Sequence, residues 1–317
     1  MRYVVRTYRG GDEKGIVEAW QQSLPFDPIN QHLFRTKVLL DPNFDPEGAI
    51  VAENEKGQII GFTLTLVRKL PMYKDDLEPE NSWITVFFVH PAYRGHGIGT
   101  KMFEKAKEFV QKKGRKYIFF SSYAPNYFLP GIDEKTYPEG YRFLLKQGFT
   151  KLYSPVAMDR SLLDFTIPEE VKKLKEEREK EGFSFGYAED RHLHELVEFA
   201  NVVFNPDWGR AIREGILQGL PLDQILVVEK DKKIVGFCLY GAYEGIRERF
   251  GPFGVDPSMQ GLGLGKILLN QCLFEMRCKG LHNVWFLWTG EESAAGYLYK
   301  NTGFKVTRKF HVMRFSF

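Results

Sequence analysis

The sequence predicts an α/β fold built from two similar domains in one chain of 317 residues. Two observations carry this prediction. A strand, a glycine-rich turn and the start of a helix occur near residue 95 and again near residue 261, and a similar pair of short strands precedes each copy. Because unrelated turns do not recur together with their flanking elements, we infer duplication of one domain. The length also fits two domains on the usual size range.

The first glycine-rich turn follows an apolar run of strand composition that ends at Val89. Glycine lets the backbone approach a ligand closely and aim several N–H groups at one anion. The helix that follows adds the positive end of its dipole and its unpaired N–H groups. The pattern therefore predicts a phosphate-binding turn. Its candidate contacts are Arg94, Gly95, His96, Gly97, Ile98, Gly99 and Thr100.

The second turn repeats the pattern after a strand that ends at Val255. Neither copy has the G-x-G-x-x-G spacing of a dinucleotide site or the Gly-Lys-Ser/Thr ending of a P-loop. A glycine turn without a ligand is the structural alternative, and recurrence together with the flanks argues against it. The candidate contacts in this copy are Gln260, Gly261, Leu262, Gly263, Leu264, Gly265 and Lys266.

The pattern Arg/Gln-x-x-Gly-x-Gly/Ala after a strand ending in valine resembles the acetyl-CoA pyrophosphate loop of the GNAT N-acetyltransferases. Two copies resemble a tandem GNAT protein. The resemblance implies, in each domain, a mixed and mostly antiparallel sheet flanked by helices and splayed at the strand before the loop. It also implies acetyl-CoA as co-substrate, with pantetheine contacts from the backbone of Phe88 and Val89 and of Gly254 and Val255.

The remaining elements of the first half follow from periodicity and turn residues. We expect a strand over residues 2–8, a helix capped by Asp12, a break over 24–30, a helix over 30–40, and strands over 49–53 and 59–67. After the loop, apolar residues at helical spacing from Ile98 to Val110 indicate a helix packed on the sheet. A strand over 117–122 and a last helix and strand around Gly148-Phe149 complete the half.

The second half repeats this order. Strands are expected over 225–229 and 234–240, a helix after Leu264, a strand over 284–289, and a last helix and strand around Gly303-Phe304. Between the halves, Val171 and Leu174 are the uncharged residues of 169–181, which favours a solvated linker helix. The predicted boundaries are therefore 1–160, a linker over 161–184, and 185–317.

Candidate catalytic residues come from the resemblance. In many GNAT enzymes a tyrosine four residues before a Gly-Phe pair protonates the leaving thiolate, and Tyr299 matches that position within A-x-x-L-Y-x-x-x-G-F. A phenol with a pKa near ~10 suits a thiolate of similar basicity. The first half has Leu144 there, with Tyr141 one turn earlier as a possible substitute. Glu248 is a candidate general base, since family members often place a glutamate on the loop strand, and Glu244, Glu291 and Glu292 are further candidates.

These residues predict an acetyl-CoA-dependent N-acetyltransferase in which the second half performs the chemistry on an amine. The amine acceptor stays open. An extra segment at residues 123–139 in the first half could line a substrate pocket or cap the sheet, and we favour the structural role. A non-catalytic acyl-CoA-binding or sensing module is the alternative, because both functions require the loops.

Composition disfavours several other classes. The net charge of +3 is too small to indicate a nucleic-acid partner, and no apolar run approaches membrane-spanning length. Cys238, Cys272 and Cys278 lack metal-ligand spacing and suggest reduced intracellular thiols. We expect a cytoplasmic protein with no metal, no nucleic acid and no membrane partner.

Overall fold

The computed structural model describes residues 2–317, and the chain forms two compact units. The first unit holds the chain up to Pro155 together with Lys309–Phe317. The second unit is Val156–Arg308. Each unit contains sheet strands, helices on the sheet and one of the glycine-rich loops. The predicted fold class is confirmed.

The elements of the first unit run in the predicted order. They are β1 (Tyr3–Thr7), α1 (Glu13–Ser23), α2 (Gln31–Phe34), β2 (Ala49–Asn54), β3 (Ile59–Leu66), β4 (Asn81–Val89), α3 (Ile98–Lys112), β5 (Tyr117–Phe120), α4 (Pro138–Lys146) and β6 (Thr150–Tyr153). The chain's last strand, Val312–Ser316, also belongs to this unit. A π-helical turn at Arg35–Leu39 continues α2, so the helix expected over residues 30–40 is one continuous helical segment of mixed type.

The second unit repeats the order. It contains β7 (Pro155–Ser161, from Val156 onward), α5 (Glu169–Lys180), β8 (Phe183–Tyr187), α6 (Leu193–Phe199), α7 (Pro206–Leu217), β9 (Ile225–Lys230), β10 (Lys233–Tyr240), β11 (Phe250–Val255), α8 (Leu264–Cys278), β12 (Asn283–Gly290), α9 (Ala294–Asn301) and β13 (Lys305–Lys309, to Arg308). The strand at Val312–Ser316 is β14.

The first sheet has seven strands in the order β1-β2-β3-β4-β5-β14-β6. Its neighbours are antiparallel except β4 and β5, which run parallel. One face packs on α3 through a cluster that includes Met102 and Phe103, and the other packs on α1 through a cluster that includes Trp20 and Phe62. Because both faces of the sheet are covered, β2 and β3 are buried almost throughout.

The second unit divides its strands between two sheets, β11-β10-β9-β8 and β12-β7-β13. The first of these is antiparallel throughout. A single parallel β-bridge pairs Arg249, the residue before β11, with Trp285 of β12. Its helix α8 packs on β9 and β10 and contributes Leu268, Cys272 and Met276 to the core.

The unit boundaries differ from the contiguous ones expected at residues 160 and 185. Strand β14 pairs with β5 and β6, and Met313, fully buried, faces Phe120 in that register. Strand β7 in turn lies between β12 and β13. Each unit is therefore completed by a strand distant in sequence, and local periodicity carries no information about such pairing.

Helix α5 is also more than a solvated linker. Val171 is 2% exposed, and the helix packs on α8 and β8. The two uncharged residues noted in the sequence, Val171 and Leu174, are the ones turned toward the unit. A narrow apolar stripe of two residues is enough to dock a highly charged helix.

Candidate active site and cofactor loops

The two glycine-rich loops share one backbone conformation. Gly95 and Gly97 have φ angles of 80° and 77°, and Gly261 and Gly263 have 84° and 75°. These left-handed angles favour glycine, which explains the alternate glycines of the sequence. Each loop leads directly into a 15-residue helix, α3 or α8. Both loops therefore present helix N-termini with unpaired N–H groups, the geometry that binds phosphate.

The loop residues divide into exposed and core positions. Ile98 and Leu264 are each 1% exposed, so their side chains belong to the core and only their backbone can contact a ligand. Arg94 is exposed; its Nε donates to the Val89 carbonyl at 3.0 Å and its Nη1 pairs with Glu139 at 2.8 Å. His96, Thr100, Gln260 and Gly261 are exposed, while Leu262, Gly265 and Lys266 are half-buried.

In the first unit the sheet opens beside the loop. Pairing of β4 with β5 ends at Ile84 and Phe120, whereas pairing of β4 with β3 continues to Val89. The splay that the family resemblance implies is thus present. A cavity of about 1000 Å³ lies in this cleft. Its lining includes predicted cofactor contacts from the first half, namely Val89, Arg94, Gly95, Gly97, Ile98, Gly99 and Thr100.

A second wall of the cavity comes from the end of α1 and from the extra segment at residues 123–139. The Tyr137 hydroxyl donates to Asp27 Oδ2 at 2.6 Å, and the rings of Trp20 and Phe128 lie 4.8 Å apart. All four residues line the cavity. The extra segment, for which we favour a structural role from sequence, thus lines the cavity. Its first residue, Tyr123, is fully buried and donates to Asp41 at 3.0 Å, which anchors the segment.

Sequence reasoning missed three polar groups of this cavity: Asp27, Tyr137 and Thr85. Thr85 is 4% exposed and lines the cavity, and its hydroxyl has no hydrogen-bond partner among the described residues. The β3–β4 register shifts at this point, which leaves Thr85 as the extra residue of a bulge. A buried hydroxyl without a partner is costly unless a ligand or water satisfies it. A threonine in a strand gives no sequence signal of this kind.

Tyr299 occupies a different environment in the second unit. Its ring lies 4.5 Å from Phe286, 5.4 Å from Phe304 and 6.1 Å from Phe253. Phe253 lies on β11, Phe286 lies on β12, and Phe304 lies in the turn between α9 and β13. All three belong to or pack against the same core cluster as Tyr299. Burial raises the pKa of Tyr299 well above that of a free phenol, and Cys238 and Cys272 act in the same direction. The aromatic packing gives Tyr299 a core environment.

The other catalytic candidates are dispersed. Glu248 is half-buried just before β11, and its carbonyl accepts from the Trp285 N–H at 3.1 Å. Among the described residues, no hydrogen bond or ring contact joins Glu248 to Tyr299. Leu144 is 3% exposed within the core of the first unit. Tyr141 packs against His311, with ring centroids 5.3 Å apart, and is not among the cavity-lining residues.

The surroundings of the second loop differ from those of the first. A Cβ added at Gly263 would lie 2.6 Å from Leu174 of α5, whereas one added at Gly97 would have the Tyr3 hydroxyl 3.8 Å away as its nearest neighbour. Lys266 also pairs with Glu170 of α5 at 2.6 Å. Helix α5 therefore covers one side of the second loop.

Over residues 2–317, no cluster of three or more His, Cys, Asp or Glu side chains could hold a metal ion. None of the helices described is both long and apolar enough to cross a membrane.

Comparison with known proteins agrees with this architecture. Residues 15–128 match the model of the acetyltransferase (GNAT) family, and residues 221–306 match that of an acetyltransferase (GNAT) domain. The chain is 23% identical to mycothiol acetyltransferase of Amycolatopsis mediterranei (strain U-32), over 83% of this chain and 86% of that protein. These matches define a protein made of two acetyltransferase domains.

Solved structures share the fold over the whole chain. The glucosamine N-acetyltransferase region of a fungal multidomain β-N-acetylglucosaminidase superposes with a TM-score of 0.82 at 18% identity, covering 99% of this chain and 38% of that one. A tandem GNAT protein from the clavulanic acid biosynthesis pathway gives 0.64 at 14% identity, covering 99% and 98%. The chain belongs to the GNAT acetyltransferase family, with two of its domains in tandem.

Proposed function

We propose that the protein is an acetyl-CoA-dependent N-acetyltransferase in which the first unit binds acetyl-CoA and the amine. The observation that carries this proposal is the cavity of about 1000 Å³ between the diverging ends of β4 and β5, lined by the first glycine-rich loop. The loop and the cleft are the two features that acetyl-CoA requires, one for its pyrophosphate and one for its pantetheine arm.

The charges along this side of the cavity suit a polyanionic co-substrate. Arg94 on the loop and Arg142 and Lys146 on α4 line it and are exposed. Arg142 and Lys146 are four residues apart, so they share one face of α4. Cations near a helix N-terminus add to its attraction for phosphate. The strand edge of β4 beyond Ile84 is free of β5 and offers backbone groups to pantetheine amides.

The reaction needs no acyl-enzyme intermediate, because the amine attacks the thioester directly. The amine nitrogen forms a bond to the thioester carbonyl carbon, the carbon–sulfur bond breaks, and the proton lost by the amine is balanced by the proton gained by the thiolate. Developing charge on the carbonyl oxygen would be stabilised by preorganised donors, for which the β4 backbone and the Thr85 hydroxyl are the candidates. This role would also give the buried Thr85 hydroxyl a partner.

Assignment of the chemistry to Tyr299 and Glu248 of the second unit stays a competing prediction. It is supported by the match of Tyr299 to the family position. The aromatic packing around Tyr299 and the cover of α5 over the second loop favour the first unit instead. Tyr137, at the start of α4 and in the cavity, is the tyrosine of the first unit best placed to contact substrate.

The experiment that separates an enzyme from an acyl-CoA sensor is thiol release from acetyl-CoA in the presence of a panel of amines. We expect amine-dependent release of CoA and a stoichiometric acetylated amine, identified by mass spectrometry. Tight acetyl-CoA binding without release for any amine would contradict the enzyme and support the sensor.

A further inference from the structure

The cation of the first glycine-rich loop, Arg94, is paired with a carboxylate that lines the same cavity. We infer that this carboxylate, Glu139, competes with the pyrophosphate of acetyl-CoA and of CoA for Arg94, and so sets the affinity of the site for both. The inference rests on the proposed function, because it takes the first loop as the pyrophosphate site. It adds the residue that regulates binding there.

Pairing distinguishes Arg94 from the other cations that line the cavity. Its Nη1 donates to Glu139 Oε2 at 2.8 Å. Arg142 and Lys146 also line the cavity, and among the described residues neither forms an ion pair with a carboxylate. A polyanion can therefore approach Arg142 and Lys146 without displacing a protein group, whereas at Arg94 it meets a carboxylate.

All three guanidinium nitrogens of Arg94 have partners. Besides the Glu139 bond, Nε donates to the Val89 carbonyl at 3.0 Å and Nη2 donates to the Ser23 carbonyl at 3.4 Å. A bidentate bond to a phosphate uses two neighbouring nitrogens of the fork. Such a bond at the outer pair, Nη1 and Nη2, requires that Glu139 be replaced.

The two carbonyl contacts keep Arg94 beside the loop when Glu139 is removed. Val89 is the last residue of β4 and Ser23 is the last residue of α1, and both line the cavity. Carbonyl groups are neutral, so they position the guanidinium without cancelling its charge. Glu139 is thus the partner that neutralises Arg94.

The exposure of the pair makes the contact reversible. The Arg94 side chain is 42% exposed and that of Glu139 is 63% exposed, in the first turn of α4. Ion pairs exposed to this extent are weak, so a ligand with two phosphates can replace one carboxylate. When the ligand leaves, the pair forms again. Glu139 therefore lowers affinity without closing the site.

Acetyl-CoA and CoA carry the same pyrophosphate, so the competition acts equally on co-substrate and product. A site that bound the pyrophosphate without a competitor would also hold the product CoA more tightly. Since product release limits kcat in many enzymes, weaker binding of CoA favours turnover.

The test measures dissociation constants for acetyl-CoA and CoA by isothermal titration of the full chain. Glu139→Gln keeps the size of the side chain and a hydrogen-bond acceptor but removes the charge. We expect both dissociation constants to fall by the same factor, about two- to fivefold, the range for one exposed ion pair.

A matched control removes a carboxylate charge elsewhere in the same unit. Glu104 of α3 pairs with Lys107 at 2.8 Å, its side chain is 53% exposed, and it does not line the cavity. Glu104→Gln should leave both dissociation constants unchanged. Equal melting temperatures show that both variants are folded.

A double-mutant cycle separates competition for Arg94 from simple repulsion of phosphate. Arg94→Gln introduces the residue that the second loop has at the equivalent place, Gln260, and should weaken binding of both ligands. In the Arg94→Gln background, Glu139→Gln should give no further tightening, because the competition requires Arg94.

The outcomes distinguish this inference from the proposed function. Unchanged or weaker binding of CoA in Glu139→Gln, or equal tightening with and without Arg94, would overturn the competition and leave the loop as the acetyl-CoA site. If the unmodified chain binds no acetyl-CoA, both are overturned.

Discussion

At the scale of single residues, environment decides the role of the two tyrosines that could serve acetyl transfer. Tyr299 matches the family position, but it packs among Phe253, Phe286 and Phe304, and burial holds the pKa of its phenol far above the usual value. Tyr137 matches no motif, yet it lines the cavity and donates to Asp27. A tyrosine can therefore match a catalytic motif without lying at a cavity, or lie at a cavity without matching a motif. We assign a role at the substrate site from position at the cavity.

Removing one hydroxyl from each tyrosine tests this view. Tyr299→Phe should leave kcat unchanged, because its ring packing is retained and we assign it no proton transfer. Tyr137→Phe should raise KM for the amine, because it removes a hydroxyl that lines the cavity. Steady-state kinetics with the best amine checks both. A fall in kcat of ~10²–10⁴-fold in Tyr299→Phe, typical for loss of a general acid, would instead assign the chemistry to the second unit.

At the scale of elements, α4 has one face packed in the core and another that lines the cavity. Leu144 is buried in the core, and Leu145 beside it is 45% exposed. Phe143 lies 3.3 Å from the position of a Cβ at Gly99 and so contacts the loop. The helix thus joins core, loop and cavity within nine residues.

Leu144→Ala should therefore lower the free energy of unfolding by about 2–5 kcal/mol, the cost of a cavity in a core. Leu145→Ala is the matched control and should change it by less than about 0.5 kcal/mol, as exposed substitutions do. Urea denaturation followed by circular dichroism measures both. Equal effects of the two substitutions would show that the assigned faces of α4 are incorrect.

The same elements show what sequence could predict. The loops, their strands and their helices follow from local rules, because alternate glycines, apolar periodicity and helix ends are encoded within about 20 residues. The cavity could not be predicted in this way. Asp27 and Tyr137 are 110 positions apart in sequence and come together only in the folded chain. The Thr85 hydroxyl lacks a hydrogen-bond partner among the described residues at a register shift between β3 and β4, which no local pattern encodes.

At the scale of the whole molecule, the first unit is completed by the end of the chain. Strand β14 lies between β5 and β6, and its Val312 and Met313 are almost fully buried. The β5–β14 register also brings Met313 opposite Phe120, a residue that lines the cavity. The cleft that we propose as the substrate site thus depends on a strand more than 150 residues away in sequence.

Truncation after Arg308 should accordingly destabilise the first unit, since it removes β14 and exposes the edges of β5 and β6. We expect a lower melting temperature and loss of acetyl-CoA binding relative to the full chain. Differential scanning calorimetry and isothermal titration measure these properties. A truncated chain that melts and binds like the full chain would contradict the pairing of β14 and favour the contiguous boundaries expected from sequence.

The central claim, that the first unit is the acetyl-CoA site, is tested most directly by valine substitution at equivalent loop glycines. Gly95 and Gly261 have φ angles of 80° and 84°, and a Cβ at either would meet nothing within 4 Å. The two valine substitutions therefore impose the same backbone strain. A difference in acetyl-CoA binding between them then reports which loop binds the co-substrate. Isothermal titration should show acetyl-CoA binding weakened by about tenfold or more in Gly95→Val and unchanged in Gly261→Val. Weakening in Gly261→Val with normal binding in Gly95→Val would contradict the claim.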